Sequence, residues 1–405
     1  MDRVVFKSGI QVGGRGPSIY DLRQTAKSDP VAFFHRVNKL VDDGKLKLSQ
    51  FGDLRSLYQA LADVQVPVTM QIGGATRAIM ASAFPVLTGT AIIKEINDAY
   101  LTVPTIGDLL VTEIDDNKKI TTIAAIHALD KDIPEVKESD DFPEISADEE
   151  KVEIRHKRNG RKLSITQEMI EENELADIVS RVNGLGVIAA DWIEEQTLRR
   201  VTDHDGSASA PGEPYAYRPN GVGTALYSST ANTPNARCPL GNRKTSNALE
   251  DDSDLNNARN LLASMLNARG KAIGLNWSEI QLVVPYSLLG KATTLLNSEY
   301  VPGVVNEVNN YGPRGKWSIT ADRLVSSPKL DDLSNSAWYL GAFKKQFRRK
   351  WKLRFEYVTL GGDTQAYLNS RIAFQARIAW DCETGCVDVV NVIQNLAATT
   401  APKDE

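Results

Sequence analysis

No apolar run in this sequence approaches the ~20 residues needed to cross a bilayer, so membrane insertion is not expected. The opening stretch MDRVVFKSGIQVGGRG lacks the apolar centre and small-residue cleavage site of a signal peptide, and the chain is expected to stay in the cytoplasm where it is made. Thiols are scarce. The three cysteines, Cys238, Cys382 and Cys386, leave one over in any disulfide scheme, which predicts buried free thiols. The four histidines, His35, His127, His156 and His204, are scattered without metal-ligand spacing, and a closed zinc site would lack ligands. No metal and no cofactor is expected.

Catalytic motifs are missing as well. Gly13, Gly14 and Gly16 are not followed by the Gly-Lys-Ser/Thr ending of a phosphate loop. Asp203, His204, Asp205, Ser207 and Ser209 crowd together, but no G-x-S-x-G elbow exists and neighbours on one turn cannot form a nucleophile, base and orienter. Asp130 and Asp132 lack the glycine and spaced acids of a calcium loop. Gly184, Gly186 and Ala189 spell G-x-G-x-x-A without the preceding strand that dinucleotide binding requires, so close packing inside a helix is the reading that fits. Nothing here points to an enzyme. A surplus of positive charge is also absent. The formal charge of −5 argues against a free-standing, high-affinity nucleic-acid binder, although local patches can depart from the average.

What is present is an ordinary folding composition, 42% hydrophobic and 24% charged, in a 405-residue chain long enough for two or three domains. Up to residue 70 three short helical signals are separated by breakers and read as an arm. A short helix is expected around 91–100, ended by Pro104. LLVTEI and KITTIAAIHAL alternate as strands across DDNK, and KVEIRHK and RKLSITQ do the same across Asn159 and Gly160, a hairpin signal. Between the strand pairs lies DKDIPEVKESDDFPEISADEE, dense in acid and interrupted by Pro134 and Pro143. A two-stranded ribbon is marginal alone in water, so this one is expected to rest on a neighbouring surface.

The stretch Ser164–Val201 has a helical period, with Leu175, Val179, Val182, Leu185, Ala189, Ile193 and Val201 on one stripe and Glu194 and Arg199 among the polar positions. Ser164 and Gln167 make a capping-box start, and Asp203 to Gly206 a stop. A loop-rich entry then leads into mixed α and β. LNNARNLLASMLNARGKAI and YSLLGKATTLLNS read as helices, and EIQLVVP, SITADRLVSS and SAWYLGAF as strands. From Lys344 long alternating strands follow, KKQFRRKWKLRFEYVTL and AYLNSRIAFQARIAWD, joined at Gly361 and Gly362. VDVVNVIQ then precedes a polar tail. The fold class expected is α+β.

One constellation stands out. Lys344, Lys345, Arg348, Arg349, Lys350, Lys352 and Arg354 are packed with Phe347, Trp351 and Phe355, while Asp140, Asp141, Glu144, Asp148, Glu149 and Glu150 concentrate at the hairpin tip. Opposite charge on one chain suggests contacts between copies. DNA is the rival partner for the basic run, and a solvated strand face the plain alternative.

The order of parts, with RAIMASAFPVLTG, VPTIGDLL, the DFPEI tip, RNGRKLSITQEMI and SAWYLGAF, resembles the major capsid protein of tailed double-stranded-DNA bacteriophages. Encapsulin shells and the herpesvirus capsid floor share that fold. The resemblance implies an N-terminal arm at 1–70 and an extension loop at 108–165. It also implies a peripheral domain at 71–107, 166–209 and 341–382 with a spine helix, an axial domain at 210–340 and 383–396, and a tail at 397–405. The implied function is assembly of hexamers and pentamers into an icosahedral head around packaged DNA bound without sequence specificity. Portal, scaffold, protease and decoration proteins are the implied partners, and no membrane is involved. Some members add a lysine–asparagine cross-link, for which no residues match here. An encapsulin-like compartment, or a cytoplasmic enzyme with a noncanonical site at 210–340, are the alternatives.

Overall fold

In a computed structural model of the chain, the described residues are 96–124, 151–155, 157–166, 175–204, 215–230, 237–266, 270–301, 307–360 and 372–397. The arm, the acidic stretch, the Gly361–Gly362 turn and the tail lie outside them. Two compact units are formed. One takes in Met1–Pro104, Arg158–Trp192 and Arg354–Trp380, the other Thr105–Lys157, Ile193–Leu353 and Asp381–Glu405.

Residues 96–102 are helical. They are followed by the short helix α1 (Gly107–Leu110) and the strands β1 (Thr112–Asp115), β2 (Ile120–Ala124), β3 (Lys151–Arg155) and β4 (Lys157–Thr166). The helix α2 (Leu175–Thr202) comes next, then β5 (Arg243–Lys244), α3 (Asp252–Ala263), β6 (Gln281–Pro285) and α4 (Tyr286–Asn297). The chain continues through β7 (Leu324–Ser327), α5 (Pro328–Asp331), β8 (Trp338–Gly341), α6 (Phe343–Gln346), β9 (Phe347–Leu360), β10 (Ile372–Cys386) and β11 (Val392–Asn395). Three sheets result, ordered β1-β9-β10-β4, β5-β11-β8-β6-β7 and β2-β3. This is the mixed helix-and-sheet class expected from the sequence.

The five-stranded sheet forms the core of the second unit. β6 pairs antiparallel with β8 and parallel with β7, while β11 pairs antiparallel with β8 and parallel with β5. Leu282, Val283, Val284, Trp338, Leu340, Val392 and Ile393 are buried, the continuous apolar pattern of strands covered on both faces. Helix α4 packs on β6, and α3 on β11 and β8. Asp251 caps α3 by accepting from the Ser253 and Asp254 amides, and Asp254 reciprocates in a capping box.

In the first unit, Trp192 and Trp380 meet edge-on at 5.8 Å and Phe355 lies against Trp380 at 5.9 Å. Tyr100 meets Phe355 at 4.8 Å. The glycine of α2 that matters is Gly186, where a Cβ would come within 2.4 Å of the Ile96 carbonyl. Close packing against the helical residues 96–102 is what Gly186 provides, whereas at Gly184 a Cβ would meet nothing within 4 Å, so the close-packing expectation holds for one of the two glycines. The stripe residues Val182, Leu185, Ala189, Ile193 and Val201 are buried as expected.

Three expectations about the hairpin region are corrected. Asn159 and Gly160 do not make a turn but sit inside the continuous strand β4. Gly160 is there because a Cβ would lie 2.6 Å from the Ile378 carbonyl of β10, so the glycine marks a close backbone approach. DDNK is likewise no hairpin turn, since β1 pairs in parallel with β9 while β2 pairs antiparallel with β3. Ser164 belongs to β4, which runs to Thr166, so it cannot cap α2. The helix does stop where expected. Asp203 takes the left-handed conformation at φ 53°, and the 28 helical residues span about 42 Å.

Candidate functional site

The residues expected at contacts between copies do not share one environment. Asp140, Asp141, Glu144, Glu149 and Glu150 lie outside the described residues. Of the basic run, Lys344 and Lys345 are exposed on α6, where Lys345 pairs with Glu279 at 2.5 Å. Arg348 is half-buried and donates to the Lys344 carbonyl. Arg349 and Lys350 are buried, at 2% and 0% exposure. The reading of the whole run as a surface patch is thereby corrected, because β9 is covered on both sides here: Arg349 reaches Asp108 and Thr197, and Lys350 reaches the Lys118 carbonyl.

What they build there is an anchor for the chain leading into β1 and β2. The parallel register sets Thr112 beside Arg348, Glu113 beside Arg349 and Ile114 beside Lys350. Arg349 donates to Asp108 and, at 2.9 Å, to the Thr197 hydroxyl on α2, and stands 3.5 Å from Glu113. The Trp351 indole donates to Glu113 at 2.9 Å. Lys350 donates to the Lys118 carbonyl and lies 3.9 Å from Asp116. Burial holds the Lys350 ammonium below its ordinary value, with Asp116 opposing the shift.

The opposite end of this anchor is Glu194. Its two carboxylate oxygens accept from the Ile106 and Gly107 amides, each at 2.9 Å, satisfying donors at the start of α1 that would otherwise be orphaned. Burial raises the pKa of Glu194, while the two amide hydrogen bonds, Lys329 and Arg349 work against that rise. Gly107 has to be small, since a Cβ would meet a Glu194 oxygen at 2.7 Å and an Arg349 nitrogen at 2.9 Å. Sequence reasoning put Glu194 on the polar side of α2 and gave Gly107 no role. This carboxylate–amide contact becomes visible only when segments nearly ninety positions apart are brought together.

The neighbouring surface on which the ribbon is expected to rest lies in its own unit. Val152 and Ile154 are buried, the Glu153 amide donates to the Arg218 carbonyl at 3.1 Å, and the Asn220 amide donates to the Lys151 carbonyl at 2.7 Å. Gly385 admits Ile154, whose side chain would lie 2.7 Å from a Cβ there. Behind this seat, Arg200 of α2 pairs with Glu383 at 2.7 Å. Asp203, at the end of the same helix, accepts from the Leu226 amide at 2.7 Å and is 2% exposed.

Among the described residues there is no cluster of His, Cys, Asp or Glu able to hold a metal and no helix long and apolar enough to cross a membrane. All three cysteines are free and buried. Burial pushes Cys238 and Cys382 up to about 12, so they stay as thiols, as expected of packing residues.

The family model for phage capsid protein matches residues 149–382, more than half of the chain. The chain belongs to the phage capsid protein family. The matched region begins two residues before β3 and takes in α2, most of the five-stranded sheet, β9 and most of β10, so Glu194, Thr197, Arg349 and Lys350 of the anchor lie inside it while α1 and β1 lie before it. Membership makes this a structural protein of the phage capsid. Solved structures with which the chain shares some likeness include the mature capsid of bacteriophage PhiM1, at 13% identity and a TM-score of 0.47, covering 74% of this chain and 89% of that one. The capsid of a native GTA particle gives 9% identity and 0.46, covering 74% and 92%. A virus-like particle from Pyrococcus furiosus gives 7% and 0.40, covering 75% and 97%. No curated protein sequence matches this capsid protein.

Proposed function

We propose that the chain is the major shell subunit of a phage head. It associates with copies of itself into hexamers and pentamers that close into an icosahedral shell around packaged double-stranded DNA, assembled in the host cytoplasm and retained in the virion. The observation that carries this reading is the family match over residues 149–382. The role is structural and not catalytic. Portal, scaffold, protease or decoration proteins are its further partners, and contact with DNA is sequence-independent.

In this reading the five-stranded sheet with α3 and α4 is the axial domain at ring centres, and α2 with the long strands belongs to the peripheral domain. Residues 108–165 are the extension loop that reaches a neighbour. Asp140, Asp141, Glu144, Glu149 and Glu150 are the acidic side of contacts between copies, and of the basic run Arg349 and Lys350 are withdrawn by burial while Lys344, Lys345, Lys352 and Arg354 stay exposed and Arg348 half-buried. Ring interfaces are heterologous, each patch meeting a different one, which suits opposite charges carried on one chain.

Sedimentation velocity of the purified chain at micromolar concentration over a range of salt tests this. Rapidly sedimenting rings or particles are expected. A single species of one-chain mass under every condition would overturn the reading.

A further inference from the structure

The sequence places glycine directly after asparagine at three points, Asn159–Gly160, Asn183–Gly184 and Asn220–Gly221. The pair is chemically reactive, because glycine has no Cβ to shield its amide nitrogen from the carboxamide carbon of the asparagine before it. Bringing the two together requires the backbone between them to rotate. The fold withholds that freedom from two of the three pairs. Asn159 and Gly160 lie in β4, where Gly160 is pressed against the Ile378 carbonyl, and Asn183 and Gly184 lie inside α2. Rotation in either place means opening a segment of regular structure.

Asn220 and Gly221 are placed differently. They are the two central residues of a tight turn, with φ of 50° and 81° and the Val222 amide donating to the Pro219 carbonyl at 3.1 Å. Asn220 is exposed. The Gly221 amide is engaged only at 3.4 Å, to the Arg218 carbonyl, which is longer than an ordinary N–H···O bond. From the ribbon, the Lys151 amide donates to the Asn220 Oδ1 at 3.3 Å. That donor faces the oxygen on which negative charge develops when a nucleophile adds to Cγ.

We propose that Asn220 is a site of spontaneous covalent modification, deamidating through a cyclic imide to aspartate and isoaspartate. The Gly221 nitrogen gives its proton to water or hydroxide and bonds to the Asn220 Cγ, while the Cγ–Nδ2 bond breaks and Nδ2 takes up a proton and leaves as ammonia. Water then opens the ring. Attack at Cγ yields aspartate, and attack at the main-chain carbonyl yields isoaspartate, whose backbone runs through Cβ. The site gives this chemistry a structural consequence, because the Asn220 amide holds the Lys151 carbonyl at 2.7 Å in the seat of β3. An added main-chain carbon at 220 moves that amide off Lys151 and loosens the start of β3. The ribbon seat therefore weakens with age, whether or not the chain is assembled.

The test ages the purified full chain at mildly alkaline pH, which favours loss of the amide proton, and maps its peptides by mass spectrometry, with an isoaspartate methyltransferase reporting the rearranged product. Deamidation at Asn220 should run about tenfold or more ahead of Asn159 and Asn183, since those two must wait for local opening. Hydrogen exchange in residues 151–155 should then quicken in the aged chain. An aged Asn220→Gly chain keeps a residue suited to the turn but has no carboxamide, so its exchange should not change with age. Equal rates at the three asparagines would overturn the proposal, as would an intact Asn220 after ageing that converts a synthetic RPNGVG peptide. Exchange that quickens equally in the Asn220→Gly chain would overturn the link to the ribbon seat.

Discussion

Replacing Arg349 with glutamate should cost the subunit about 4 kcal/mol or more, enough to abolish a stable fold, whereas reversing the exposed Lys344 or Lys345 should change stability by less than about 0.5 kcal/mol. The difference follows from position alone. Arg349 is buried and bonded to Asp108 and Thr197 with Glu113 beside it, and its Nη2 would lie 2.9 Å from a Cβ on Gly107, the residue that Glu194 caps. A glutamate there would place a new carboxylate among Asp108, Glu113 and Glu194 and remove the cation that offsets them. Urea midpoints of the three variants provide the comparison. An Arg349→Glu protein with an unchanged midpoint would show that the anchor contributes nothing, and that a charge reversal spanning 348–350 could be used as a pure surface probe.

Asp203 should make stability depend on pH in an unusual direction. Its carboxyl is 2% exposed at the C-terminal end of α2, and its Oδ1 has no hydrogen-bond partner. Burial raises its pKa from 3.8 to about 7, against the opposing effects of the Leu226 amide, Arg243, the Tyr227 amide and Arg200. Because the folded-state value is raised, the group's stabilisation is complete below the unfolded value near 4 and is lost as pH rises through about 7. A shift of that size corresponds to about 4 kcal/mol. Asparagine tolerates the left-handed backbone at this position and can still accept from Leu226, but it carries no charge. The Asp203→Asn chain should therefore lack this part of the decline between pH 4 and 7. Parallel stability curves for the two proteins across that range would show that Asp203 ionises without penalty. Glu194 and Glu383 are also raised by burial and act in the same direction, so the difference between the two proteins is the informative quantity.

Much of the architecture was legible in the sequence because it is written in local patterns. The stripe from Val182 to Val201, the EIQLVVP and SAWYLGAF strands, the helix at 286–297 and the long strands after Phe347 follow directly from periodicity and breakers, and burial agrees in the stripe and in the EIQLVVP and SAWYLGAF strands. The errors came where a local signal has two physical causes. Asn-Gly at 159–160 is a turn dipeptide, yet a glycine is equally required where a strand passes close to a neighbouring backbone, and Ile378 sets that requirement here. Ser164 has the spacing of a cap, but β4 claims its backbone first. Charge was the least readable property. Nothing local distinguishes Lys345, which reaches solvent, from Arg349 and Lys350, which are buried, because that depends on β1 arriving from more than two hundred positions earlier. For the same reason the Arg200–Glu383 pair escaped notice: its two residues stand 183 positions apart and form no motif.

The central claim is that this phage capsid protein is a self-assembling shell subunit, and electron microscopy of the purified full-length chain tests it most directly. Closed shells, or rings of five and six subunits, are the expected result. A uniform field of single subunits, at concentrations and salt conditions where the protein is folded, would contradict it.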